Sequence, residues 1–258
     1  EHVIDMLFPP GTPARIPIFA ITGTNGKTTT TRLIAHILKN SGRNVGFTTT
    51  DGTYIGNQQI VTGDNTGPVS AQLVLKDPTV DIAVLETARG GIIRSGLGFD
   101  YCDIGVVMNV AADHLGLKDV NTLEDLARVK SVVPRAVSRK GYAVLNAEDD
   151  LVYAMKEMVE GKVVCFSMDE NHPNIKRRAE RGRVSCVYEN GYVTILKGKW
   201  KVRIEKVVNV PLTYGGRAEF MIQNVLAATL ACFVHGVSLE DLRVGLTTFN
   251  AGTAQTPG

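Results

Sequence analysis

Nowhere in the 258 residues does an apolar run approach the ~20 residues that cross a bilayer as a helix, and the opening residues carry no secretory pattern. Cysteine is scarce. The four (Cys102, Cys165, Cys186, Cys232) are scattered, with no Cys-x-x-Cys pair, which favours buried thiols in a reducing cytoplasm over disulfides or a metal site. An excess of either charge is also missing. With 28 basic and 26 acidic side chains the formal balance is +2, so neither nucleic acid nor a membrane is expected as a partner. No internal repeat is present.

What the chain does contain is an ordinary globular composition, 44% hydrophobic and 21% charged, in a length that can bury a full core. Its most specific stretch is Thr22-Gly23-Thr24-Asn25-Gly26-Lys27-Thr28-Thr29. An apolar strand-like segment, 16–21, precedes it and a helical pattern, 29–38, follows. A strand, a glycine turn and a helix start make a phosphate-binding loop, because backbone N–H groups and the helix dipole converge on an anion. Lys27 would reach the terminal phosphates of ATP or another nucleoside triphosphate, and the Thr28 hydroxyl would face Mg²⁺. The spacing departs from the general rule, which places four residues between the first glycine and the Gly-Lys pair. Here only Thr24 and Asn25 separate Gly23 from Gly26.

Strand candidates at 16–22, 45–49, 80–86, 104–109, 142–146 and 163–166 alternate with helix candidates near 29–41, 70–75, 123–138 and 151–159. Near-continuous Val/Ile/Leu strands with helices between them predict an α/β fold, a doubly wound and mostly parallel sheet. Segment 184–208, with the Glu-Asn-Gly turn at 189–191, predicts a small antiparallel sheet attached to it. A shorter hairpin is expected at 53–61, and two helices at 218–235 and 239–247 close the sequence, the second capped by Ser238. The basic run Lys176-Arg177-Arg178 with Arg181 and Arg183 reads as a solvated loop, with a polyanion contact as the minority alternative.

Ligands of such sheets sit beyond the carboxyl ends of the strands. Glu86 ends a buried strand, where an ionised carboxylate is costly unless paired or holding a cation; Mg²⁺ is the expected partner, with a salt bridge to Arg89 or Arg94 as the alternative. Asn109, Asp113 and His114 follow the next strand. By pattern alone His114 reads as a hydrogen-bonded structural residue, with metal ligation the minority alternative, since Mg²⁺ prefers oxygen. Lys130 lies on a helix whose apolar side is Leu123, Leu126, Ala127 and Val133, so pattern places it at the surface.

The shortened loop Thr-Gly-Thr-Asn-Gly-Lys-Thr, strand-end Glu86, Asn109-x-x-x-Asp113-His114-Leu115 and Lys130, in that order, resemble the Mur ligase family. The segments 49–55, 63–68, 85–94 (Leu-Glu-Thr-Ala-Arg-Gly-Gly-Ile-Ile-Arg) and 96–100 narrow the resemblance to a branch that joins arginine to an aspartate polymer. The resemblance implies an amide ligase using ATP and Mg²⁺. Gly23 to Thr29 would bind nucleotide; Thr28 and Glu86 would hold one ion; His114 and a carbamylated Lys130 would hold a second. Asn224 would stand near adenine, although Phe220 and Met221 occupy positions where the family often has His-Asn. Asp51, Arg89 and Arg94 are candidates for substrate contact. The resemblance also implies that 1–258 is the central ATPase domain of a longer, homo-oligomeric enzyme, with an ATP-grasp region upstream and a closing Mur domain downstream. The non-Met start and turn-like end agree with that. A fragment of this kind is expected to bind nucleotide weakly and ligate poorly. A different Mur-type ligase, a phosphate-loop kinase and a non-catalytic nucleotide-binding domain remain the alternatives.

Overall fold

A computed structural model describes residues 15–112 and 120–250. Its centre is β1 (Ile18–Thr22), whose five residues are all buried. Alternate side chains point to opposite faces, as the two-residue period of a strand requires: Phe19 and Ile21 join one apolar cluster, Ile18 and Ala20 the other. Around it lie β2 (Val45–Thr49), β3 (Gly52–Ile55), β4 (Gln58–Thr62), β5 (Ile82–Glu86), β6 (Cys102–Val107), β7 (Val137–Asn146), β8 (Lys162–Ser167), β9 (Val184–Glu189), β10 (Tyr192–Lys197) and β11 (Trp200–Lys206). They form one sheet in the order β11-β10-β9-β8-β7-β6-β1-β5-β2-β3-β4. From β2 through β9 every neighbouring pair is parallel. The segment at 184–208 forms the expected antiparallel extension of the sheet: β9 pairs with β8 in parallel and carries the antiparallel β10 and β11 outward. Asn190 and Gly191, both at positive φ, make its tight turn.

Helices cover both faces. On one lie α1 (Lys27–Asn40), with α8 (Glu219–His235) and α9 (Leu239–Thr248). On the other lie α2 (Pro68–Lys76), α3 (Arg89–Ser95), α4 (Leu123–Lys130), α5 (Val132–Arg135), α6 (Asp150–Ala154) and α7 (Pro173–Glu180). No helix among the described residues is long and apolar enough to cross a membrane. All four cysteines are free and buried; desolvation pushes the Cys165 thiol up to about 11 and the Cys102 thiol to about 12.

Two expectations change. The single helix at 123–138 breaks after Lys130 and ends at Arg135, and β7 starts at Val137. Pro134 explains the break, since a proline has no N–H for the Lys130 carbonyl and its ring would clash with it. The basic run falls on α7 rather than in a loop, and Arg178 is buried, its Nη2 donating to the Val163 carbonyl at 2.6 Å.

Candidate functional site

The chain leaves β1 through Gly23 and enters α1 after Gly26, at the carboxyl edge of the sheet. Both glycines are needed there. Gly26 has φ +83°, and a Cβ on it would stand 2.3 Å from Asn224 Oδ1; a Cβ on Gly23 would stand 2.7 Å from Met108 Cβ. Asn109, just beyond β6, holds the turn from outside: its Oδ1 accepts from the amides of Thr24 at 3.1 Å and Asn25 at 2.8 Å, and its Nδ2 donates to the Asn25 carbonyl at 3.2 Å. No side chain caps α1 and no acidic residue lies in its first turn. Its leading amides and dipole are thus set for an anion.

Beneath the loop, Glu86 at the end of β5 is only 2% exposed. Its Oε2 accepts from Thr28 Oγ1 at 2.9 Å and from the Thr50 amide at 3.3 Å. Its Oε1 is buried with no hydrogen-bond partner. Burial raises its pKa, against the Thr28 hydroxyl, the Lys27 charge and the Thr50 amide, which lower it; Asp64 raises it further. An orphaned buried carboxylate oxygen beside the Thr28 and Thr50 hydroxyls, themselves 3.2 Å apart, fits a hard cation that takes oxygen ligands and keeps waters, as Mg²⁺ does.

Lys27 donates from Nζ to the Thr24 carbonyl at 2.8 Å, and Thr29 follows in the first turn of α1. Lys130, expected at the surface, is 3% exposed and donates to the Gly23 carbonyl at 2.7 Å. A cleft of about 320 Å³ opens here, lined among others by Gly23, Lys27, Thr50, Asp64, Arg89 and Lys130. Arg89, the first residue of α3, is therefore in the site. Arg94 lies exposed at the other end of that helix, and Asp51 forms an ion pair with Arg32 at 2.7 Å; neither lines this cleft. Asn224 is buried on α8, its carboxamide against Gly26. Asp113 and His114 lie outside the described residues. Thr50 and Asp64 were not singled out from sequence. The position of Thr50 directly after β2 was the available signal; Asp64 follows the edge strand β4, and its only signal was its place in the 63–68 segment of the resemblance.

A sheet with parallel strands at its centre, a Gly-Lys-Thr turn leaving the middle strand and a buried carboxylate ending the next one define the phosphate-loop class of α/β domains. Within that class the chain belongs to the Mur ligase family: the Mur ligase middle domain matches residues 21–232. It is 61% identical over 99% of its length to a cyanophycin synthetase of Crocosphaera subtropica and 57% identical to one of Synechocystis sp.. It spans about 29% of each of those relatives. Its fold is also that of a UDP-N-acetylmuramoyl-L-alanyl-D-glutamate–2,6-diaminopimelate ligase structure, at TM-score 0.70 and 22% identity, covering all of this chain and 50% of that one.

Proposed function

We propose that the chain is the ATP-binding middle domain of a carbon–nitrogen ligase, one that activates a carboxylate of an aspartate polymer with ATP and couples arginine onto it. The observation that carries this is Glu86, whose unpartnered Oε1 lies buried beside Thr28 under a phosphate-type loop; the likeness to cyanophycin synthetases supplies the substrates.

In this mechanism the substrate carboxylate oxygen attacks the γ-phosphorus of ATP. The bond from that phosphorus to the β-γ bridging oxygen breaks, and ADP leaves. The arginine amine then attacks the acyl carbon, phosphate departs with the C–O electron pair, and the amine loses a proton to form the amide. Phosphoryl transfer of this kind depends chiefly on positioning and charge neutralisation. The amides of Gly26 to Thr28 would hold the phosphates, and Lys27 would exchange its carbonyl contact for them. Thr28 and Glu86 would hold Mg²⁺, which when bound neutralises phosphate charge. Lys130, bonded to the Gly23 carbonyl, positions the loop. Arg89, which lines the cleft, would meet a carboxylate of the substrate. The domain would work between an ATP-grasp region before it and a closing domain after it.

The test supplies the full-length protein with ATP, Mg²⁺, an aspartate-containing primer and one labelled amino acid at a time. ADP, phosphate and polymer-bound arginine in equal amounts are expected. A stable phosphorylated product would mark a kinase, and incorporation of a different amino acid would move the chain to another ligase.

A further inference from the structure

At the amino edge of the sheet, opposite the phosphate loop, a second cleft of about 490 Å³ is lined by Lys156, Lys162, Arg177, Arg178, Arg181 and Arg183. One carboxylate, Glu157, lines it with them, although the chain as a whole carries only +2. Lys162 is the first residue of β8, Arg183 directly precedes β9, and both strands run parallel to β1 and β5 through their neighbours. The cleft therefore lies at the amino edge of the sheet, under β8 and β9, and the nucleotide site at its carboxyl edge, beyond β1 and β5.

Cations at the end of a helix often do no more than offset its dipole. That accounts for Arg177 and Arg178, in the last turn of α7, and for Arg181 at its C-cap. It does not account for Lys156, Lys162 and Arg183, which arrive from a short 3-10 turn, a strand and an inter-strand loop. No ion pair neutralises Arg177, Arg178, Arg181 or Arg183 among the described residues, and the nearest pair, Lys156 with its neighbour Glu157, is loose at 3.9 Å. The site is also built rather than merely exposed. Arg178 is 8% exposed, fixed by the Val163 and Val184 carbonyls at 2.6 and 3.2 Å, so one guanidinium forms a rigid floor while Arg181 and Arg183 stand exposed at the rim.

The geometry points to a binding site for a polycarboxylate, a run of consecutive aspartate side chains, remote from the reaction. Guanidinium groups bind carboxylates through paired N–H donors, and a row of them suits a repeating anion better than a single one. Nucleic acid fits less well, because the one aromatic side chain lining the cleft, Tyr153, is already covered by the Lys156 ammonium, 3.9 Å from its ring centre, leaving no platform for a base. Phosphate groups favour helix N-termini, whereas α7 turns its C-terminal end, Arg181, toward the cleft. The roughly half negative charge of that end is outnumbered by the cations. The choice of aspartate polymer as occupant rests on the ligase reading; the anion site does not.

Fluorescent poly-L-aspartate of about twenty residues, titrated with the 258-residue chain at low salt, tests this by anisotropy. Binding is expected to weaken about tenfold or more in an Arg181→Glu/Arg183→Glu variant, as reversal of two rim charges and their loss of attraction imply, with the melting temperature and nucleotide affinity unchanged. Lys162→Glu, a single reversal on another element, is expected to weaken it in the same direction, so the result does not hang on one variant. Lys27→Ala should leave polymer affinity intact. Absence of binding, wild-type binding by both the double variant and Lys162→Glu, or tighter binding of inorganic polyphosphate or single-stranded RNA at matched charge would each overturn the assignment. Polymer binding that keeps this sensitivity, in a protein that incorporates no arginine, would remove the ligase reading and leave the cleft standing.

Discussion

Glu86 is held as an anion by two donors to one oxygen, while its other oxygen has none. Because burial raises its folded pKa, its charged form costs stability once the pH exceeds that value, and below the ordinary 4.5 both states are protonated and the cost disappears. Glu86→Gln is therefore expected to melt higher at neutral pH, with the gain fading as the pH falls from the raised folded value toward 4.5 and absent below it. Calorimetry across pH checks this, and the same variant should lose the Mg²⁺ dependence of nucleotide binding. Gly26→Ala should cost about 1–3 kcal/mol in chemical denaturation, from strain at a positive φ together with the clash against Asn224. Asn224→Ala should relieve the clash and leave the backbone strain, restoring only part. The glycines, Lys27, Thr28 and Glu86 were legible in sequence because their chemistry is tied to a strand end. Lys130 was not, by periodicity. Its helix has an apolar side that meets the core, but the lysine meets a second buried neighbour, the loop carbonyl of Gly23, and a one-dimensional pattern registers only the first.

The long parallel elements were legible because strands buried on both faces are apolar throughout, and their order required only alternation with helices. The helix at 123–138 was misjudged because its apolar period continues across Pro134 while its hydrogen bonds cannot. Attachment of the 184–208 segment to the sheet was legible, but the strand that β9 joins was not, because an alternating hairpin pattern says nothing about the partner on its outer side. That outer arm has its own electrostatic pin. Glu189 ends β9 at 2% exposure and accepts from Arg203 Nε at 2.9 Å, from Thr194 Oγ1 at 3.3 Å and from Lys201. The Arg203 and Lys201 hydrogen bonds hold its pKa down at about 2. A depressed carboxylate contributes stability above its unfolded value and loses it as the pH falls through the folded one. Glu189→Gln should thus be less stable at pH 7, by roughly 1–2 kcal/mol. Wild type and variant should converge between pH 4.5 and 2, read by far-UV circular dichroism.

Across the whole molecule, the nucleotide site is an open cleft on one edge of the sheet. If a closing domain completes this cleft, as proposed, the 258-residue chain is expected to bind ATP at least about tenfold more weakly than a full-length ligase, since closure adds contacts and excludes water. Isothermal titration of both would show it, and robust arginine addition by the chain alone would contradict the proposed division of labour. The position of β1 has a further consequence, for the time at which the protein is finished. Ile18 pairs with Ala83 and Phe19 with Ile104, so the central strand meets neither neighbour until long after it is made. At ordinary synthesis speeds the first of those neighbours emerges roughly 3–13 s later. The loop then still awaits Asn109, Lys130 and Asn224. Nascent chains stalled after residue 95 should leave this segment open to protease, and those stalled beyond α8 should protect it. The segment most readily identified in the sequence is among the last to be completed in the cell.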